Sequence, residues 1–224
     1  MINKYTIQEL ENYVDKKVVL SEAELSPKQF DEPLRGIWNK YARIPTDISA
    51  VNLVYLAGFN GISDGTIKAS ETLSNWVRNI DRQRSANFIG GICASFLTAA
   101  LEDFTKALAE YWFANCEDSE NRIRSIGIDH LTSKDLKNWV SPTARSGRWF
   151  QRIERLFGYR ADPEAVAIIE DMLKSRTVAT HEEIGSFDTP TGERLKLWGL
   201  ATRNLIFELL RTIKEKGGEQ TRLC

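Results

Sequence analysis

The sequence predicts an all-α protein, a helical bundle preceded by an N-terminal helical extension. Apolar residues recur every three to four positions along most of the chain, and residues 87–115 keep this helical spacing for roughly seven turns. We find no segment of convincing length in which apolar and polar residues alternate as they do in a strand. A helix as long as 87–115 needs other helices to cover its apolar stripe, so we expect a bundle.

The N-terminal region, residues 1–84, is predicted to form several short helices. Thr6 and Glu9 have the spacing of a capping box, which predicts a first helix over about residues 7–16. Apolar residues at helical spacing predict a second helix, over 30–41.

The rest of this region is predicted as two more helices with a turn between them. Asp47 is expected to cap a helix that runs through Leu56, and the glycines that follow predict a break in the chain. These glycines are Gly58, Gly61 and Gly65. The next helix is expected over 67–81, with four apolar residues facing inward, namely Leu73, Trp76, Val77 and Ile80.

The second region, residues 85–224, is predicted to be a bundle of four or five helices. After the long helix we expect short helices over 133–140 and 148–157, the latter ended by Gly158. Asp162 followed by Pro163 predicts the start of a further helix. A loop over 185–192 then leads to a final helix over 193–216, whose inward residues are Leu195, Trp198, Leu205, Leu209 and Ile213. The two regions are expected to pack together, with 81–87 as the joint.

Composition predicts a cytoplasmic protein that does not enter a membrane. The 224 residues carry a net charge of -1, which argues against coating nucleic acid through bulk charge. Cys93, Cys116 and Cys224 are scattered, so neither a disulfide framework nor a zinc site is expected. The N-terminal residues lack an apolar signal segment, and the longest uncharged run, Ser85 to Leu101, is shorter than the ~20 residues of a spanning helix.

Arg176 and His181 form the candidate catalytic pair, near the end of the helix that begins at Pro163. Arginine is a permanent cation that fits phosphate, and histidine exchanges a proton near neutral pH. RNA cleavage needs a base for the 2′-OH, a cation at the phosphorus centre and an acid for the leaving oxygen. Five residues turn a straight helix by about 500°, so the two side chains lie about 140° apart. They converge on one phosphate only if the helix frays or if a second subunit supplies the partner group.

The order of elements in residues 87–216 resembles the HEPN superfamily of all-α domains. The resemblance rests on a long first helix, short intervening helices, a helix that ends in Arg-x4-His, a polar loop and a final amphipathic helix. Within it, 149–158 and 168–181 look like the RNA-cutting toxin and defence type of HEPN protein. The resemblance implies a metal-independent endoribonuclease without a cofactor, acting as a toxin or antiviral effector. Arg176 and His181 would be its catalytic pair, in a composite site between two protomers, with an antitoxin or regulatory protein as a further partner.

Two departures from the family pattern leave other functions open. Thr177 follows the arginine where the family commonly has Asn, and Glu182 follows the histidine where it often has Gly. Thr177 keeps a polar group beside RNA, whereas Glu182 adds negative charge where phosphate would bind. An inactive HEPN-like module that binds RNA or a partner protein is therefore the alternative. In a third interpretation, a structural adaptor, Arg176 would be an internal ion-pair partner.

A set of arginines around the 148–157 helix is a candidate RNA-binding track. Their spacings of 3, 4 and 3 place them along one helix face, and they are Arg145, Arg148, Arg152 and Arg155. Such a face would contact phosphates, with Trp149 and Phe150 as a stacking platform. The competing interpretation is a solvated helix face with the aromatic residues in the core, which we favour for the aromatics.

Overall fold

A computed structural model describes residues 5–24, 28, 30–80, 82–115, 119–125, 133–143, 148–181 and 192–220. The protein is all-α: these ranges hold ten helices and no strand. In chain order the helices are α1 (Ile7–Glu24), α2 (Glu32–Tyr41), α3 (Ile44–Asp64), α4 (Glu71–Arg78), α5 (Arg82–Asn115), α6 (Ser119–Ser125), α7 (Ser133–Val140), α8 (Trp149–Phe157), α9 (Pro163–His181) and α10 (Gly192–Gln220). The predicted fold class is confirmed.

The first helix begins where its capping box predicts. The Thr6 backbone N–H donates to Glu9 Oε2 at 2.7 Å, and the Glu9 N–H donates to Thr6 Oγ1 at 3.2 Å. These two bonds satisfy amide groups that have no partner within the helix. The helix continues to Glu24, past the predicted end near residue 16.

The predicted start of α3 and the glycine break after it are wrong. α3 begins at Ile44, with Pro45 in its first turn. Proline is tolerated there because a backbone N–H at this position has no helical hydrogen-bond partner. Asp47 is therefore a first-turn acid and not the cap. Gly58 and Gly61 lie within α3, and among these glycines only Gly65, at the helix end, has a positive φ, of 85°.

α4 is shorter and more exposed than predicted. It runs from Glu71 to Arg78 after the cap Ser70, whose side chain accepts from the Leu73 amide. Val77 is buried, but Leu73 is 38% and Trp76 66% exposed, which contradicts their predicted inward positions. The physical reason is that α4 packs chiefly on one neighbour, α3, so a single narrow stripe is covered.

The long helix α5 is the central element of the bundle. It packs against α2, α3, α7, α9 and α10, and its inner face is fully buried at Cys93, Leu97, Leu101, Phe104 and Leu108. Within the described chain it is the one helix, from Ser85 to Asn115, that is long and apolar enough to cross a membrane. Half of its most apolar stretch is buried inside the bundle.

The N-terminal helices share one core with the rest of the chain, as expected. The Trp38 ring contacts Phe207 edge-on at 4.4 Å between centroids, and Tyr41 contacts Phe104 at 5.8 Å. Ser49 Oγ donates to the Leu195 carbonyl at 2.6 Å. The predicted joint is not a linker, because α5 begins at Arg82 and continues through it.

The last three helices follow the sequence prediction closely. α8 ends at Gly158, which has a φ of 68° and donates its amide to the Glu154 carbonyl. α9 begins at Pro163. Along α10 the five residues predicted to face inward are all buried, namely Leu195, Trp198, Leu205, Leu209 and Ile213.

Candidate functional site

The predicted catalytic pair lies in the last part of α9. Arg176 is half-buried, and the helical backbone continues through Thr177 to His181. The side chains of residues 177–181 lie outside the described part of the structure. Glu182, Glu183 and the predicted loop up to residue 191 also lie outside it, as does the other histidine, His130.

The unbroken helix decides how one chain presents Arg176 and His181. Thr177, Val178 and Thr180 are middling helix formers, yet the backbone is helical through all three. A regular helix separates positions 176 and 181 by about 140° around its axis and about 7.5 Å along it. The fraying that would let both side chains meet one phosphate does not occur before His181.

Arg176 follows a segment of α9 that is fixed firmly to α10. The Asp171 carboxylate accepts two bonds from the Arg194 guanidinium, one of them from Nε at 2.7 Å, and a third from Trp198 Nε1 at 2.9 Å. A two-pronged arginine–carboxylate pair fixes orientation as well as distance. The sequence did not indicate this cluster, because Asp171 and Arg194 are 23 positions apart with no shared periodicity.

The predicted arginine track is interrupted within α8. Arg148 and Arg155 are exposed, whereas Arg152 is only 9% exposed and its Nη2 donates to the Ser141 carbonyl at 3.0 Å. Burial lowers the pKa of Arg152 below its usual range. Arg145 lies outside the described residues. The described part of the track therefore offers phosphate two exposed cations, not a continuous row.

Trp149 and Phe157 of α8 belong to the core, as the competing interpretation held. Trp149 is 4% exposed and its Nε1 donates to the Val140 carbonyl at 2.6 Å. The half-buried Phe150 contacts Trp149 edge-on, with 4.8 Å between the ring centroids. The buried Trp149 ring therefore lacks the open face that base stacking requires.

A cluster of charged and phenolic groups joins α1 and α10 to the segment between α8 and α9, and no sequence pattern predicted it. Lys17 Nζ lies 2.8 Å from Asp162 Oδ2 and 2.6 Å from Glu208 Oε1. The Tyr13 hydroxyl donates to Asp162 at 3.0 Å, and the Tyr159 hydroxyl makes a short bond to Glu208. We name these five residues the Lys17 cluster.

The neighbours within the Lys17 cluster shift the pKa values of its members. Burial acts to lower the pKa of Lys17, but hydrogen bonds to Asp162 and Glu208 outweigh it and raise the pKa. Burial acts to raise the pKa of Asp162, but bonds from Lys17 and Tyr13 outweigh it and lower the pKa. Burial and a neighbouring carboxylate raise the pKa of both tyrosines well above the usual range. The cluster is therefore a fixed ion-pair network at neutral pH.

A groove with a mostly apolar lining lies between α3 and α5. It has a volume of about 730 Å³. From α3 it is lined by Asp47, Ile48, Val51, Asn52, Tyr55 and Phe59, and from α5 by Phe88, Ile89, Ile92 and Phe96. Tyr55, Phe88 and Phe96 are each between 57% and 67% exposed. We call this feature the α3–α5 groove.

No group of three or more potential metal ligands occurs among the residues the structure describes. Cys93 is a free thiol, and burial raises its pKa to about 12. Comparison with protein-family models, with curated proteins and with solved structures gives no match.

Proposed function

We propose that this chain is a metal-independent endoribonuclease of HEPN type that acts in the cytoplasm as a toxin or antiviral defence effector. Arg176 stabilises the charge that develops at the phosphorus, and His181 transfers protons to and from the ribose oxygens. One observation carries the proposal: both residues occupy the last turns of α9, a helix that the Asp171–Arg194 pair holds firmly on α10. A rigid support of this kind keeps a catalytic cation in place.

The proposal requires two copies of the chain. The helix keeps Arg176 and His181 about 140° apart, and a single histidine does not perform both proton transfers at once. Two α9 ends from two protomers would supply two histidines and two arginines to one phosphate. The exposed Arg148 and Arg155 of α8 would contact further phosphates of the RNA.

The test is cleavage of total RNA in EDTA by wild type, His181→Ala and Arg176→Gln. We expect wild type to cut, and each variant to lose about 100-fold or more, as removal of a general acid–base or an oxyanion-stabilising group does. His130→Ala is the matched control, since it removes the other histidine of the chain. It should cut like wild type. Unchanged cutting by His181→Ala would refute the assignment.

A second candidate function is a module that binds a partner protein without cutting RNA. The exposed aromatic residues of the α3–α5 groove favour it, because apolar patches of this kind mark interaction sites. Glu182 next to the histidine is also more compatible with binding than with catalysis. Two results together would favour this function over the nuclease. Wild type would leave a range of RNAs intact, and it would capture a partner protein that Phe88→Glu no longer captures.

A further inference from the structure

We propose that the α3–α5 groove binds a second copy of this chain, with a two-fold axis that passes close to Ile92 of α5. The proposal is independent of the nuclease function, because none of its evidence involves Arg176 or His181. Both proposals need two copies of the chain, so a single-chain mass for wild type would count against both. A dimer that does not depend on the groove would overturn this proposal alone, and loss of RNA cleavage without loss of the dimer would overturn the nuclease alone.

Apart from Asp47 in the first turn of α3, the stretches of α3 and α5 that form the groove carry no charged side chain. Residues 48–63 of α3 and 85–101 of α5 contain no Asp, Glu, Lys or Arg, in a chain in which these make up 27% of residues. A helix face that stays in water normally carries charges, which keep it soluble. Packing inside the fold explains why the buried sides of α3 and α5 carry no charge. It does not explain the uncharged exposed sides, which we expect a binding partner to cover.

The exposed apolar area is large enough to form the centre of a protein interface. Tyr55, Phe88 and Phe96 are 67%, 57% and 60% exposed, and Val51 and Val54 are 53% and 72% exposed. At ~200 Å² for each aromatic side chain, the three rings alone expose roughly 350 Å². A standard interface takes about 800 Å² from each partner, with a core that is rich in aromatic residues and poor in charge. The rings would therefore supply close to half of such a contact.

The order of residues on α5 makes an identical chain the fitting occupant. Phe88 and Phe96 each lie four positions from Ile92, one on either side, and residues four apart share a helix face. A second α5 laid antiparallel about an axis at Ile92 would therefore set Phe88 against the partner's Phe96, and Phe96 against the partner's Phe88. Contacts that repeat in this way are the signature of a two-fold interface between identical subunits.

Small side chains on the same face allow the two α5 helices to approach. Ala99 is exposed and Ser95 half-buried, and both lie within the uncharged run. Tyr55 and Val51 of α3 line the other wall of the groove, where they would cover the partner's α5. The groove would thus receive the aromatic residues of the second copy, while its own aromatic residues enter the partner's groove.

The first measurement is the mass in solution, by size-exclusion chromatography with light scattering. Wild type should give twice the chain mass of 25.5 kDa, and Phe88→Glu/Phe96→Glu should give the single-chain mass. Both rings are more than half exposed, so the double variant should keep its helical circular dichroism. Trp76→Glu is the control: Trp76 is 66% exposed but does not line the groove, and its variant should remain a dimer.

A second measurement tests the axis itself. In a Cys116→Ser/Cys224→Ser background, Ile92→Cys should cross-link to its own copy with a short bis-maleimide, because the axis brings the two positions together. Phe113→Cys, on the same helix but outside the groove, should not. A single-chain mass for wild type at tens of micromolar would overturn the proposal, and so would a dimer that survives the double variant. A monomer whose phenylalanines bind it to lipid vesicles would assign the face to a membrane surface instead.

Discussion

Replacing Lys17 by methionine removes the cation between Asp162 and Glu208 while keeping most of the volume of the side chain. Glu208 is the more deeply placed acid, with a side chain 10% exposed, whereas Lys17 is 26% and Asp162 41% exposed. Loss of one partner from a fully buried pair costs about 3–5 kcal/mol, because it leaves a charge uncompensated. The partial exposure here lowers the expected cost to about 2–3 kcal/mol at pH 7.

If Lys17 neutralises Glu208, the effect of Glu208→Gln on stability should depend on whether Lys17 is present. In wild type, Glu208→Gln should destabilise by about 1–2 kcal/mol, since charged hydrogen bonds are lost. In the Lys17→Met background the same change removes the uncompensated charge and should be neutral or stabilising. The free energies of unfolding of the four proteins, from urea titrations, should give a coupling energy of about 2 kcal/mol.

A matched control is the exposed pair Arg124–Glu120, whose side chains are 69% and 70% exposed at a separation of 3.9 Å. Arg124→Met should change the free energy of unfolding by less than about 0.5 kcal/mol. Glu208→Gln effects that are equal in both backgrounds would mean that Lys17 and Glu208 do not interact in solution. That outcome would refute the Lys17 cluster as the link between α1 and the bundle.

Two further changes test packing and pH dependence. Gly199→Ala would place its Cβ 2.4 Å from Ser49 Cβ, so we expect a loss of about 1–3 kcal/mol, although alanine is the better helix former. Gly36→Ala, in α2 with open space around it, is the control and should stabilise by about 0.5–1 kcal/mol. Urea titrations of both variants give the free energies of unfolding. A stabilising Gly199→Ala would contradict the α3–α10 contact. Burial and Glu208 raise the pKa of Tyr159, so its stabilising effect is full below the ordinary tyrosine pKa of about 10 and is lost as pH rises beyond it. Melting temperatures between pH 8 and 11 should fall less steeply for Tyr159→Phe than for wild type, and parallel curves would show that this phenol is not the responsible group.

Short-range signals in the sequence were enough for several elements. The Thr6–Glu9 capping box, the glycine at the end of α8 and the proline at the start of α9 all predicted helix ends that the structure has. Each acts within one turn of backbone, so its meaning does not depend on the rest of the chain. The start of α3 was missed because Asp47 and Pro45 are both acceptable in a first turn, and the pattern did not choose between them.

The contacts around the candidate site join residues that are far apart in the chain, and short-range signals did not predict them. The sequence placed Arg176 near the end of α9, but the Asp171–Arg194 pair that holds this helix spans 23 positions. Arg152 was expected to be exposed beside the other arginines, but its side chain is buried and donates a hydrogen bond to the Ser141 carbonyl. Spacing fixes the face on which a residue lies, whereas its partner depends on which helix packs there.

The sequence by itself determined that the chain is helical, where most helices lie and which residues of α10 face the core. The tertiary structure alone decided that the Lys17 cluster joins α1 to α10 and to the segment before α9, with Lys17 and Glu208 191 positions apart. It also decided that α3 and α5 present aromatic side chains to solvent, although their periodicity is that of core helices. The physical reason is that helix formation follows local spacing and capping, whereas burial and ion pairing depend on which surfaces meet when the helices pack.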